Sequence, residues 1–283
     1  MAIDLSEKFL PHVDEQFSAE SKKALLTNDD FSWDGAHAVK VYKVTTASMN
    51  DYGRSAPGAG NWSRYGAVES LSATTERMAL TKDRSFTFAI DKLDEDETAQ
   101  QLAAASALAR QNREVTIPEV DAYTYGVMCS NAGTKPEALA LTADNIYTEI
   151  LKGSQALDDA QVPETERVLV VTPAVYVLMK QCKDIVMETD VGNELRLKGV
   201  IAIIDGMSVQ KIPASRLPKN FGFMIAHPCA TVAPVKLEDY TVHENPPGIS
   251  GSLVEGRIVY DAFVLDNKAK AIYYQEQTAV PAV

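Results

Sequence analysis

At 283 residues, 46% hydrophobic and 23% charged, the chain is long enough for a sizeable core, in one large domain or two modest ones. Its formal net charge of -12 works against sequence-independent binding to nucleic acid, because phosphates are repelled, yet it leaves room for a protein that encloses DNA without gripping it. Three widely spaced cysteines argue against a disulfide framework, no signal-peptide pattern is visible, and no apolar run reaches the roughly 18 residues of a membrane span, so the expectation is a soluble protein in a reducing compartment.

Met1 to Ser48 is polar, with scattered anchors at Leu5, Phe9, Leu10, Phe17, Leu25 and Leu26. Val39 to Val44 alternates and predicts a strand. So little core-forming pattern suggests an arm that packs on something else, another subunit for example. Gly53 to Gly60 is flexible punctuation. Beyond it, Glu76 to Thr81 and Ser85 to Ile90 alternate around Lys82-Asp83-Arg84, which predicts a β-hairpin inside a long excursion. A two-stranded excursion is marginal alone in water and needs a surface to lie on.

Asp94, Glu95, Asp96 and Glu97 open a helix, where carboxylates complement the dipole. Its continuation to Arg113 carries Leu102, Ala105, Leu108 and Ala109 on one face, and Pro118 either starts a second helical run to Asn131 or kinks one long helix. Thr142-Ala-Asp-Asn-Ile-Tyr reads as the capped start of a further helix with Ile146, Ile150 and Leu157 inward. Arg167 to Thr172 reads as a buried strand, and Pro173 as the start of a helix carrying Val177, Leu178 and Cys182. From Gly199 on, strands dominate: 200–204, 209–212, 221–226, 231–235, 257–265 and 269–274, with Asp205-Gly206 as a hairpin turn.

The chemical motifs are weak. His12, His37, His227 and His243 lie far apart, and His227-Pro-Cys229 lacks the doubled short spacing of a zinc site. The acidic run at Asp94 lacks the alternation and glycine of a calcium loop, so capping and solvation explain it. No Lys-Ser/Thr follows Gly60, no Gly-x-Ser-x-Gly elbow exists, and Asn61-Trp-Ser63 is a chance sequon in such a compartment. No catalytic, cofactor-binding or metal-binding residue is assigned.

The charge pattern says more. Met49 to Ile90 carries five basic residues (Arg54, Arg64, Arg77, Lys82, Arg84) against four acidic, whereas Asp91 to Asp121 carries eight acidic against three basic. An arginine-bearing excursion beside an acidic body suggests docking between subunits, since guanidinium pairs with carboxylate in a planar fork. The expected interface residues are Arg54, Trp62, Arg64, Arg77 and Arg84 on one side and Asp94, Glu95 and Glu97 on the other.

The order of Arg84-Ser-Phe-Thr-Phe-Ala-Ile-Asp91, the acidic Asp94 to Thr98, Val115 to Tyr123, Ile204-Asp-Gly206, Phe223 to Pro228 and Gly256 to Leu265 resembles the major capsid proteins of tailed bacteriophages with the Hong Kong 97 coat fold. The resemblance implies an α+β fold in five parts: an N-terminal arm over 1–48, an extended β-hairpin loop over 49–91, a peripheral domain with a spine helix over 92–141, an axial domain over 142–231, and return strands of the peripheral domain over 232–283. It implies a non-enzymatic protein without cofactor. Its copies would form hexamers and pentamers of an icosahedral virion shell, assembled in the bacterial cytoplasm without a membrane. A separate scaffolding protein, a portal protein, a decoration protein and enclosed, non-specifically held DNA are the implied partners. An encapsulin-type compartment is the runner-up, and a soluble α/β enzyme the alternative from another class.

Overall fold

The computed structural model describes residues 21–28, 38–57, 62–93, 104–182, 185 and 203–278. The chain divides into two units: a body of Met1–Ser32 with Thr81–Val283, and a ribbon, Trp33–Leu80.

The body is organised by a five-stranded sheet. Its strands are β4 (Val168–Val171), β5 (Ile203–Ile204), β6 (Met207–Lys211), β7 (Phe221–Ala226) and β12 (Ile272–Glu276), in the order β12-β7-β4-β6-β5. Only the β4/β6 pair is parallel. Helix α4 (Pro173–Gln181) lies in the connection between those two strands, as a parallel pair requires a crossover. Pleating sends successive side chains to opposite faces. Val168 and Val170 join one buried cluster with Met224, Ala226, Ile272 and Tyr274, covered by Tyr125, Met128 and Cys129 of helix α2 (Ile117–Ser130). Leu169 and Val171 join the other with Phe223, Ile225 and Tyr273, covered by Ile146, Ile150 and Leu157 of helix α3 (Ile146–Asp159) and by Val175 and Met179 of α4. The strand at 168–171 therefore reads as one continuous apolar run, because both faces are dry.

A bulge changes the parity near one end. Gln275 pairs with Phe223 and Glu276 with Phe221, so Gly222 is the extra residue on β7. Phe221 thereby reaches the α2 side although Phe223 faces α3 and α4. A Cβ on Gly222 would sit 2.7 Å from the carbonyl oxygen of Gln275.

A second sheet is antiparallel, β3 (Lys82–Asp91), β10 (Gly251–Tyr260) and β9 (Val235–Glu244), in the order β3-β10-β9. The short pair β8 (Thr231–Val232) and β11 (Phe263–Val264) stands beside it in sequence. Ile258 and Tyr260 pack on Val120 of α2. Helix α1 (Ala104–Gln111) runs into α2 through a π turn over Asn112–Thr116, where the Ile117 N–H bonds to the Asn112 carbonyl five residues back. Pro118 has no N–H to give its i−4 carbonyl, and the widened turn absorbs that loss without breaking the helix.

The body also holds a buried polar knot. Asp121 receives Arg216 Nη1 at 2.9 Å and the Ser21 hydroxyl at 2.7 Å, with both charged side chains almost fully buried. Lower down, Asp261 accepts from the Thr81 N–H and hydroxyl, the Tyr123 hydroxyl and the Ala262 N–H, each at 2.8 Å. Burial, and then the bond to Asp261, push the Tyr123 hydroxyl up to about 12.

Several expectations are borne out: the strand at 39–44, observed as Ala38–Val44, the inward Ile146, Ile150 and Leu157, and the Asp205-Gly206 turn, with φ of 48° and 72°. Others are corrected. The segments 76–81 and 85–90 do not form a hairpin; β2 (Ala73–Ala79) pairs with β1 (Ala38–Val44), and β3 pairs with β10. Tight hairpin turns need positive φ, which Lys82-Asp83-Arg84 has no glycine to supply, and those three residues instead lie inside β3. The strand assigned to the arm belongs to the ribbon. The end of the arm is buried by its own chain: Leu26 is inaccessible and the Asn28 N–H bonds to Thr231. On α4 Cys182 is buried and Leu178 packs against the same cluster, whereas Val177 is half exposed and Val175 and Met179 complete the inward face. Asn145, within the stretch expected to open α3, precedes its first turn. The last strand joins β7 rather than the β3-β10-β9 sheet. The acidic start of the spine helix lies outside the described residues.

Removing one partner of a buried ion pair strands the other, so Asp121→Ala should lower unfolding free energy by about 3–5 kcal/mol, and adding Arg216→Met should recover much of it. Denaturant midpoints of the two variants and the parent test this. A second outcome follows from His227, which is buried and whose Nδ1 accepts the Cys229 N–H. Burial depresses its folded pKa below the ordinary 6.5. The unfolded chain then binds the proton first, so stability is complete above 6.5 and falls as pH drops below it. His227→Gln should flatten the thermal-midpoint profile in that acidic window.

Candidate assembly surface

The ribbon begins as a seven-residue antiparallel pair, from Ala38 opposite Ala79 to Val44 opposite Ala73. β-branched residues at 39, 41 and 44 suit an extended, half-buried surface. Beyond the paired strands the two limbs stay in contact. Thr45 exchanges bonds with Ser72, and the Ser48 N–H and hydroxyl both donate to the Glu69 carboxylate, at 3.2 and 2.8 Å. Those bonds hold the Glu69 carboxyl below the usual carboxylate range. Further out, the Gly53 N–H donates to the Arg64 carbonyl at 2.9 Å, Arg64 Nη1 donates to the Arg54 carbonyl at 3.3 Å, and Tyr52 meets Tyr65 edge to face at 5.0 Å.

What these limbs display is apolar. Tyr42, Val44, Met49, Tyr52, Trp62, Tyr65, Val68 and Leu71 are all exposed, Met49 at 98% and Trp62 at 84%. Scattered single apolar residues on a surface need no explanation, but eight within 30 residues of one ribbon do. On one face of the strands Lys40 lies directly opposite Arg77, with Tyr42, Val44 and Thr75 beside them. On the other face Lys43 bonds to Glu76 at 3.1 Å. The ribbon can therefore offer an apolar, net-cationic face to a partner, and it has no interior of its own to hide that face in.

The interface residues expected from sequence fall into three groups. Arg54 and Arg64 come together in the far part of the ribbon, Trp62 stands exposed near them in sequence, and Arg77 stands on its paired strands. Arg84 belongs to the body, where its Nε donates to Glu119 of α2 at 2.7 Å; that hydrogen bond first, and the charge of Glu119 next, raise its pKa. Asp94, Glu95 and Glu97 lie outside the described residues. Sequence reasoning missed Tyr42, Met49, Tyr65, Val68 and Leu71. The available signal was large apolar residues set among glycine, serine and proline, at spacings that match neither a helix nor a core strand.

Elsewhere the geometry is structural. Among the described residues no group of three His, Cys, Asp or Glu side chains converges as a metal site would. The Cys129 thiol is buried and pushed up to about 12, far from a thiolate. A groove of about 240 Å³ between α2 and the three-stranded sheet is lined mainly by Ile117, Val120, Val235, Tyr240 and Ile258, with Ser21 and Asp121 at one side. No described helix is long and apolar enough to cross a membrane.

Neither a family model nor a curated protein matches the sequence. Solved structures do resemble it. The chain aligns with the capsid structure of the cyanophage P-SCSP1u at a TM-score of 0.76 and 13% identity, over 97% of this chain and 93% of that one. It aligns with the mature capsid of bacteriophage PhiM1 at 0.76 and 14%, over 98% and 93%. A virus-like particle from Pyrococcus furiosus gives 0.56 and 14%, over 91% and 92%. The chain thus has the α+β phage capsid fold over nearly its whole length.

Like charges directly across a ladder are destabilising by about 0.2–1 kcal/mol. Arg77→Glu puts a carboxylate opposite Lys40 and should leave the dispersed protein as stable as the parent or slightly more so. Thermal unfolding of the two proteins checks this.

Proposed function

We propose that the chain is a major capsid protein, whose copies form the hexamers and pentamers of an icosahedral phage head around double-stranded DNA. The observation that carries the proposal is the ribbon: a two-stranded excursion with eight exposed large apolar side chains, on a chain with a capsid fold. In this reading each ribbon lies on a neighbouring copy, so that its apolar side chains leave water only on assembly. Burial at about 25 cal/mol per Å² supplies the drive, and Arg54, Arg64 and Arg77 meet carboxylates of the neighbour. Each contact can be weak, because a lattice position holds several at once and each one raises the effective concentration of the next. Net negative charge on the rest of the chain keeps enclosed DNA from sticking broadly. The protein acts here as a building element rather than an enzyme. The reading also carries a scaffolding protein, a portal, a decoration protein and assembly in the bacterial cytoplasm as finer expectations. The domain limits given by the family resemblance belong to it too, including the extended loop at 49–91, which overlaps the ribbon of 33–80. The better alignment with phage capsids than with the Pyrococcus particle favours it over a cargo-enclosing compartment.

Size-exclusion chromatography and electron microscopy of the purified chain should show capsomers or shells; a persistent monomer would end the proposal. Replacing 45–72 by Asn-Gly keeps β1 and β2 joined by a tight turn and should give a folded, soluble protein that forms no shells. Trp62 offers a direct probe. With Trp33→Phe it is the single tryptophan, and its emission should be that of an exposed indole in dispersed subunits. On assembly it should shift to shorter wavelength and lose quenching by acrylamide; an unchanged spectrum in intact shells would remove Trp62 from the interface.

A further inference from the structure

We infer that Lys22, Lys180 and Lys211 form a contact for the phosphate backbone of nucleic acid. The three lysines come from three places in the chain: the end of the arm, the last turn of α4 and the end of β6. Two of them share one aromatic ring, and the third reaches the backbone of Lys211. Lys180 Nζ lies 5.1 Å and Lys211 Nζ 5.2 Å from the centre of Tyr176, and Lys22 Nζ donates to the Lys211 carbonyl at 3.4 Å. Lys22 is kept there by its neighbour Ser21, whose hydroxyl is held by the buried Asp121, so the trio is complete only while the arm is seated on the body.

Two ammonium groups on one ring gain cation–π attraction but repel each other, and the third adds to that repulsion. Among the described residues none of the three forms an ion pair with a carboxylate. Together they make a local basic cluster in a chain with 39 acidic residues against 27 basic. The charge is left for an outside anion. Spaced lysine point charges suit successive phosphates, whereas this body meets its own carboxylates mostly with arginine, at Asp83, Glu119, Asp121 and Asp158. The contact would be local and blind to base sequence, a tether within an otherwise repelling surface. It rests on the capsid reading above, since an enclosing shell is what brings duplex to this face.

The test is anisotropy of a short labelled duplex with the full chain, across a salt series. The parent should bind, and K22Q/K180Q/K211Q should bind more weakly, with the slope of log affinity against log salt reduced by about 2.7 for three lost phosphate contacts. K180R/K211R should retain the parent's binding. No binding by the parent, or equal slopes for parent and triple variant with matching circular dichroism, would overturn the inference. So would poly-glutamate that binds the parent more tightly than the duplex and loses that binding in the triple variant, which would assign the cluster to an acidic protein segment. Micrographs of the same samples keep the two readings apart: absence of shells in the parent counts against the capsid reading, whatever the duplex does.

Discussion

Burial on both faces of one sheet is the constraint from which the body follows. The strands 168–171, 221–226 and 272–276 can lie side by side only if each side chain, odd or even, finds a dry partner. Helix α2 serves one parity and helices α3 and α4 the other. The parity also explains why a glycine sits at 222. With the bulge there, Phe221 and Phe223 supply aromatic volume to opposite layers, and the strand ends without exposing either.

The ribbon obeys the opposite economy. Two strands and a loop have no second layer, and its hydrogen bonds at Thr45, Ser48 and Gly53 hold the limbs together without covering them. Its shape is therefore set largely by backbone and polar contacts, and beyond Met78 and Leu80 most of its large apolar side chains are left over. In the body such side chains drive folding; in the ribbon the same chemistry is available for association. In the capsid reading, one chain thus keeps its folding and its assembly energy in separate places.

Much of the body was legible in the sequence because its signals are local. The apolar run at 168–171, the heptad-like spacing of Ile146, Ile150 and Leu157, and the Asp205-Gly206 turn each point to one structure. Strand partnership was not legible, since Glu76 to Thr81 and Ser85 to Ile90 alternate equally well whichever neighbour they take. Only the long-range match of Phe86 with Gly256, where the ring lies across a position that has no side chain, shows why β3 belongs beside β10. The site was half legible. Arginine enrichment drew attention to the excursion, but Arg84 is taken up by Glu119 through a contact 35 residues away. The apolar display at Met49, Tyr65 and Val68 carries no periodicity, and pattern reading looks for period.

The widened turn at 112–116 fixes the angular phase between the two halves of the long helix. An ordinary helix advances about 100° per residue, so the surplus residue there rotates everything upstream of it by that amount relative to α2. Excising one residue from the turn would let the helix wind without interruption, yet it would swing the half-buried Ser-to-Arg stretch around Leu108 to a different compass bearing. The length of this short span consequently sets where the upstream half points, whatever side chains it carries.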